Sequence, residues 1–175
     1  MSNSIIIYSS TDGHTKTICE RISSFADNQN SIKIISLDEV AKFNLSEFSK
    51  IIIGASIRYG KHTKNLYKFI ELNKELLNKT NSSFFSVNVV ARKAEKSMPE
   101  TNPYIKKFLK ISEWKPDKIA VFAGKVDYPK YNFFDKYIIK LIMFITKGPT
   151  DTSQSYEFTD WLKVDDFAKE LWLKS

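Results

Sequence analysis

The chain has 175 residues, with 27 lysines and arginines against 20 aspartates and glutamates and a formal charge of +7. That length suits one domain, residues 1–175, with a sizeable core, and the basic balance favours anionic partners. The single cysteine, Cys19, excludes an internal disulfide and fits a reducing compartment, and no apolar run reaches the ~18 residues that a membrane-spanning helix needs. The first four residues carry no charged, apolar leader pattern, so no secretory signal is expected and a cytoplasmic location is.

Strands and helices alternate along the chain. Residues 5–8 read as a buried strand, and residues 15–26 as a helix with Ile18, Ile22 and Phe25 on one face and Cys19 as a small core residue. Residues 32–36 form a second strand, and residues 51–55, apolar throughout, a third. Leu66, Phe69, Ile70, Leu72 and Leu76 predict a helix over 64–77. A fourth strand is expected over 84–90, a helix over 103–111, a fifth strand over 119–123 and a closing amphipathic helix over 161–173. The sequence shows no repeat, low-complexity tract or interdomain linker.

Apolar strands alternating with helices predict an α/β fold, a parallel sheet covered on both faces. Five strands with right-handed crossovers give a doubly wound, flavodoxin-like order 2-1-3-4-5. Ligands then sit at the carboxyl ends of strands 1 and 3, where the winding reverses. Gly13, Gly54, Gly60 and Gly124 fall at or just beyond the ends of strands 1, 3 and 5.

Three loops collect at that edge. Ser9, Ser10, Thr11, Asp12, Gly13, His14 and Thr15 join strand 1 to its helix. Hydroxyls and the backbone N–H groups of a helix N-terminus make an anion site. The loop carries no P-loop lysine and no dinucleotide glycine pattern. Its spacing resembles the FMN-phosphate loop of flavodoxin-like proteins, with Asp12 where a hydroxyl is frequent; Asp12 is expected to point away and cap the helix. A plain strand–turn–helix cap is the alternative reading. After strand 3 come Ala55, Ser56, Ile57, Arg58, Tyr59, Gly60, Lys61 and His62. Here Tyr59 offers a face for stacking on a flavin ring, Arg58 a cation, and His62 a candidate proton acceptor. After strand 4, Asn88, Val89, Val90, Ala91, Arg92 and Lys93 are placed to hydrogen-bond the ring edge and supply further cations. Two histidines without a cysteine partner or ligand spacing predict no metal site.

Residues 126–149 form an insert that a minimal five-stranded fold does not need. Phe134, Tyr137, Ile138, Leu141, Ile142 and Ile145 follow helical spacing, Ile139, Met143 and Phe144 widen the stripe, and lysines outnumber carboxylates. Four readings stay open: a helix lying in an anionic membrane interface, a lid over a cofactor pocket, a subunit contact, and a helix folded onto the sheet. Nucleic-acid binding is not expected, because no RNP-type or OB-type pattern accompanies the aromatics.

Ile53 to Gly60, Ser86 to Lys93, the Tyr128 to Met143 stretch, and Thr150-Asp151-Thr152 with Tyr156 to Trp161 together resemble the bacterial quinone-dependent protoporphyrinogen IX dehydrogenase family. The resemblance runs over residues 5–171. It implies an FMN enzyme of haem biosynthesis that oxidises protoporphyrinogen IX to protoporphyrin IX, with menaquinone or ubiquinone reoxidising the flavin and peripheral attachment to the inner membrane. It implies that residues 9–15 hold the phosphate and that residues 55–60 and 88–92 hold the ring. Arg58, Arg92, Lys93 and Lys130 become candidates for the substrate propionates. Tyr128, Tyr131, Phe134, Tyr137 and Leu141 become a substrate cover or membrane-facing element, and a homo-oligomer is left open. Two rivals remain: a flavodoxin-type electron carrier or generic quinone reductase, and a cofactor-free membrane- or protein-binding module.

Overall fold

The computed structural model describes residues 2–27 and 30–173. Its five-stranded sheet has the order β2-β1-β3-β4-β5, from β1 (Ser2–Ser9), β2 (Asn30–Ser36), β3 (Lys50–Ser56), β4 (Asn81–Val87) and β5 (Lys118–Phe122). Every pairing in this sheet is parallel, with Ser9 opposite Ala55 and Ser56 opposite Val87 at the carboxyl edge. This is the order that the alternation of elements predicts.

Side chains alternate between the two faces of a strand. Ile5 and Ile7 therefore join Ile51, Ile53 and Phe84 under α2 (Lys64–Lys79) and α3 (Pro103–Ser112), with Leu66, Phe69, Ile105 and Phe108. Ile6, Ile52 and Phe85 face the other way, against Ile18 and Ile22 of α1 (His14–Ser23) and Val164, Phe167 and Leu171 of α5 (Trp161–Trp172). Cys19 is buried in this second layer. Gly54 is a packing requirement: a Cβ there would stand 2.1 Å from the Phe85 ring.

Several boundaries differ from the sequence reading for visible reasons. α1 stops at Ser23, where the hydroxyls of Ser23 and Ser24 donate back to the carbonyls of Glu20 and Arg21. The fourth strand ends at Val87, because the Asn88 side chain accepts from Ala91 N and turns residues 89–92 into a 3-10 turn. Two short strands were not anticipated: β6 (Lys125–Asp127) pairs antiparallel with β7 (Ser155–Glu157). They bracket the insert, whose helix is α4 (Phe133–Ile145).

The α4 helix does not fold onto the sheet. Met143 is 1% exposed and packs with Val126, Tyr128 and Tyr131 in a small separate cluster. Phe133, Phe134, Tyr137, Ile138, Leu141, Phe144 and Ile145 are exposed. The side of the stripe that meets the protein is the Ile139–Met143 side, and the aromatic side looks outward.

Candidate functional site

At the carboxyl edge of the sheet the chain leaves β1 into the turn before α1. The Ser10 hydroxyl accepts from Gly13 N at 2.9 Å, and Gly13 takes a left-handed conformation, φ 84°. Helices α2, α3, α4 and α5 are each capped by a side chain, from Thr63, Asn102, Asn132 and Asp160. No side chain caps α1. Its first turn also holds Thr15, whose hydroxyl is buried and has no hydrogen-bond partner. A bare helix N-terminus beside an unmet buried hydroxyl is suited to an anion.

Asp12 does not cap the helix as the sequence reading expected. Its carboxylate accepts from Arg58 Nη1 at 2.8 Å and lies 3.4 Å from the Tyr131 hydroxyl. The charge of Arg58 draws it across the cleft, which removes a carboxylate from the helix N-terminus.

Arg58 begins a tight turn with Tyr59 (φ 49°) and Gly60 (φ 76°), closed by reciprocal backbone hydrogen bonds between Arg58 and Lys61. Two successive positive φ values define a type I′ turn, which a tyrosine enters only with strain. The Tyr59 hydroxyl is held by Asp135 at the start of α4. The Arg58 guanidinium lies 5.4 Å from the Tyr59 ring centre and 4.9 Å from that of Tyr131, and it donates to both Asp12 and Asp135 at 2.8 Å.

A cleft of about 390 Å³ opens between these loops, lined by Ser10, Thr11, Asp12, His14, Thr15, Ser56, Ile57, Arg58, Asn88 and Val89. It adjoins a more apolar cavity of about 590 Å³ bounded by Tyr59, Gly60, Val90, Tyr104, Val126, Tyr131 and, on α4, Ile139, Ile142 and Met143. Asp12, Ile57, Arg58, Asn88, Val89 and Lys125 line both, so the two form one polar-to-apolar cleft. His14 stands at its polar end, with Nε2 2.6 Å from the Thr159 hydroxyl. Burial lowers the His14 pKa; Glu157 opposes that and Lys125 adds to it.

The structure brings most of the residues picked from sequence to this cleft but not all. Ser9 sits at the end of β1, its hydroxyl 3.4 Å from that of Thr63. Ala55 and Ala91 are buried and line neither part. His62 is 3% exposed, lies among Tyr67, Phe84 and Phe108, and has Nε2 3.1 Å from the Ser86 hydroxyl. It faces the core rather than the cleft. Arg92 turns to the far end of α4 and donates to Thr146 O at 2.8 Å and Val89 O at 2.9 Å. Lys93 lines neither part, and Lys130 pairs with Asp127 at 3.3 Å. Tyr128 is buried under the insert with its hydroxyl on Pro149 O, and Phe134, Tyr137 and Leu141 lie on the outer face.

The sequence reading missed Lys125, Tyr104 and the inner side of α4. Lys125 was findable, since it follows strand 5 and obeys the strand-end rule applied to strands 1, 3 and 4. It shares Asp127 with Lys130, at 3.6 and 3.3 Å. The Ser155 hydroxyl, 2.5 Å away, and the two lysines hold the Asp127 carboxyl below the usual range. Lys125 and Lys130 thus share one carboxylate, whereas Arg58 is shared by two, Asp12 and Asp135. Among the described residues no histidine, cysteine, aspartate and glutamate cluster is built to hold a metal.

A family model described as a flavodoxin domain matches residues 5–153. Proteins named protoporphyrinogen IX dehydrogenase (quinone) from Leishmania major and Escherichia coli are each 38% identical to this chain over 168 residues. The match covers 95% of this chain, 73% of the Leishmania protein and 93% of the E. coli protein. Oxidised flavodoxin 1 of Bacillus cereus superposes with a TM-score of 0.56 at 14% identity over 97% of both chains. The two-electron-reduced flavodoxin of Megasphaera elsdenii gives 0.51 at 11% identity, over 67% of this chain and 84% of that one. Those two likenesses concern the fold; the sequence matches concern descent, and by them the chain belongs to the flavodoxin-domain family, in the group of quinone-dependent protoporphyrinogen IX dehydrogenases.

Proposed function

We propose that the protein, as a single flavodoxin-like domain, binds FMN in the cleft and oxidises protoporphyrinogen IX to protoporphyrin IX, passing the electrons to a membrane quinone. The observation that carries this reading is the uncapped N-terminus of α1 with its unpartnered, buried Thr15 hydroxyl, opening directly into an apolar cavity roofed by an insert helix. The donor set fits a phosphate: hydroxyls of Ser10, Thr11 and Thr15 line the polar end. The turns at residues 56–60 and 88–90 border the space next to it, where a flavin ring belongs. Bound there, FMN would supply the two-electron redox chemistry of the reaction.

The chain's own residues bind, orient and exclude water. Tyr59 borders the apolar part, and Tyr104, Tyr131, Ile139, Ile142 and Met143 give a large, puckered macrocycle with alkyl and vinyl edges an apolar wall. The substrate also carries two propionates. Lys125 is the cation best placed for one of them, because Arg58 and Arg92 spend their donors on Asp12, Asp135, Thr146 and Val89. Lys93 and Lys130 lie outside the cleft and serve only a carboxylate that projects from it.

A quinone acceptor dissolves in lipid, and the outer face of α4 offers the contact. It is apolar and aromatic, and Lys136 and Lys140 with the flanking Lys130 and Lys147 supply positive charge. We propose that this face rests on the anionic inner-membrane surface as a peripheral attachment; among the described residues no helix is long and apolar enough to cross a membrane.

The test is anaerobic turnover of protoporphyrinogen IX by FMN-loaded protein, followed by porphyrin fluorescence with and without a menaquinone analogue. Quinone-dependent porphyrin formation above the spontaneous rate is expected. A yellow protein that reduces quinone from other donors but leaves the porphyrinogen untouched points instead to a generic flavin reductase.

A further inference from the structure

The α4 helix contradicts a simple packing rule. Apolar helices are normally held by burial, yet Met143 is the one α4 residue that is fully buried. Hydrophobic contact alone therefore gives this element little hold on the rest of the protein. What fastens it is polar and sits at its two ends. At the N-terminal end Asp135 accepts from Arg58 Nη2 at 2.8 Å and from the Tyr59 hydroxyl. At the C-terminal end Arg92 Nη2 donates to Thr146 O at 2.8 Å and to its hydroxyl at 3.0 Å, while Arg92 Nη1 donates to Val89 O at 2.9 Å. Arg58 belongs to the turn after β3 and Arg92 to the turn after β4, the two turns that border the cleft.

We propose that Arg58 and Arg92 are positioning residues that fasten the two ends of α4 to the two ring-facing turns, and that the Arg58–Asp135 fastening is the one that releases to admit substrate. The cover's purpose rests on the reaction proposed above; the fastening itself does not.

The two ends differ in kind. The Arg92 end grips main chain, and Gly148 behind it is so tightly packed that a Cβ would stand 2.3 Å from the Met143 methyl and 2.9 Å from Arg92 Nη2. The Arg58 end is an ion pair between side chains that are 18% and 24% exposed, which water can compete for. Arg58 is also shared with Asp12 of the loop before α1 at 2.8 Å. One guanidinium thus ties both the loop before α1 and the strap, so the polar end of the cleft and the fastening share a single cation.

Hydrogen exchange of the FMN-loaded protein, without substrate, tests this. Arg58→Met leaves the Asn132 cap of α4 intact, in which Asp135 N donates to Asn132 Oδ1 at 2.9 Å. It is expected to speed exchange at least tenfold in the first half of α4, with little change in the last turn or in β1 and β3. Asp135→Asn should reproduce the effect, and the double variant should add nothing further, since the two residues act as one unit. Arg92→Met should speed the last turn instead, and its effect should add to that of Arg58→Met. In turnover, Asp135→Asn, which lies outside the cleft lining, should change the KM for porphyrinogen more than it changes the protein's flavin content. Unchanged exchange in α4 overturns the proposal. So does an equal rise in α4 and in the sheet, because Arg58 would then be holding the fold and not the strap. A protein that shows the expected exchange pattern but no porphyrinogen oxidation leaves the strap standing and removes the proposed substrate.

Discussion

Removing a hydroxyl from water without giving it a partner costs roughly 1–3 kcal/mol, and Thr15 Oγ1 is in that position. A side chain retained at such a cost at a helix N-terminus implies a ligand that satisfies it. Thr15→Val keeps the shape and removes the hydroxyl, so two effects of opposite sign are expected. The apoprotein should gain stability, by up to ~1 kcal/mol in urea unfolding, because an unsatisfied polar group is gone. FMN affinity should fall by about 10- to 100-fold, the worth of one hydrogen bond to a charged group. A Thr15→Val protein that binds FMN as tightly as before places the phosphate elsewhere. His62 is the other residue whose setting decides its role. Burial among aromatic rings pushes its pKa down to about 4, so at neutral pH it is an uncharged core residue paired with Ser86. The unfolded chain takes up this proton near pH 6.5 and the folded one near pH 4. Stability is therefore intact above pH 6.5 and falls as pH drops through the interval, by on the order of 2 kcal/mol between pH 7 and pH 5. Urea midpoints at the two pH values should differ less in His62→Gln than in the wild type, and an equal difference would place the acid sensitivity on the carboxylates.

At the scale of elements, what was legible in the sequence is what local patterning encodes. The triple isoleucines at 5–7 and 51–53 can be satisfied only by a strand buried on both faces, and the alternation of such strands with helices fixed the sheet order. The strand-end rule then located most of the cleft: residues 10–15, 56–60 and 88–90 arrive together because strands 1, 3 and 4 are adjacent in space. What was not legible depends on partners distant in the chain. That Asp12 serves Arg58 rather than the helix end is decided by a residue 46 positions away. That Arg92 holds Thr146 is decided across 54 positions. Strands β6 and β7, three residues each, have too little sequence for any period to show. The α4 stripe failed differently. A helix that is apolar over most of its circumference gives no sign of which side meets the protein, and the choice fell to Ile139 and Met143 because they fit against Val126, Tyr128 and Tyr131.

For the molecule as a whole, the outward turn of the aromatic side and the net charge of +7 act in the same direction. Phe133, Phe134, Phe144 and Ile145 are exposed on one helix, and clustered exposed apolar side chains of this kind mark interaction surfaces. A Phe side chain moved from water to hydrocarbon gains ~1.5–3 kcal/mol, and a lysine near an anionic leaflet contributes about 1 kcal/mol. Two phenylalanines with two to four lysines therefore suffice for peripheral binding without a spanning segment, provided that α4 lies in the plane of the interface. The two contributions separate experimentally. Vesicles containing anionic lipid should sediment the protein, neutral vesicles should do so less, and raising the salt from ~0.05 to ~0.5 M should weaken binding to the former through screening of the lysines. Phe134→Asp with Phe144→Asp should reduce binding to both kinds of vesicle by more than about 100-fold on the same transfer values, while flavin content stays unchanged because neither residue lines the cleft. If the double variant binds anionic vesicles as the wild type does, the attachment is carried by lysines elsewhere on the basic surface, and the exposed face of α4 is left for another protein to cover.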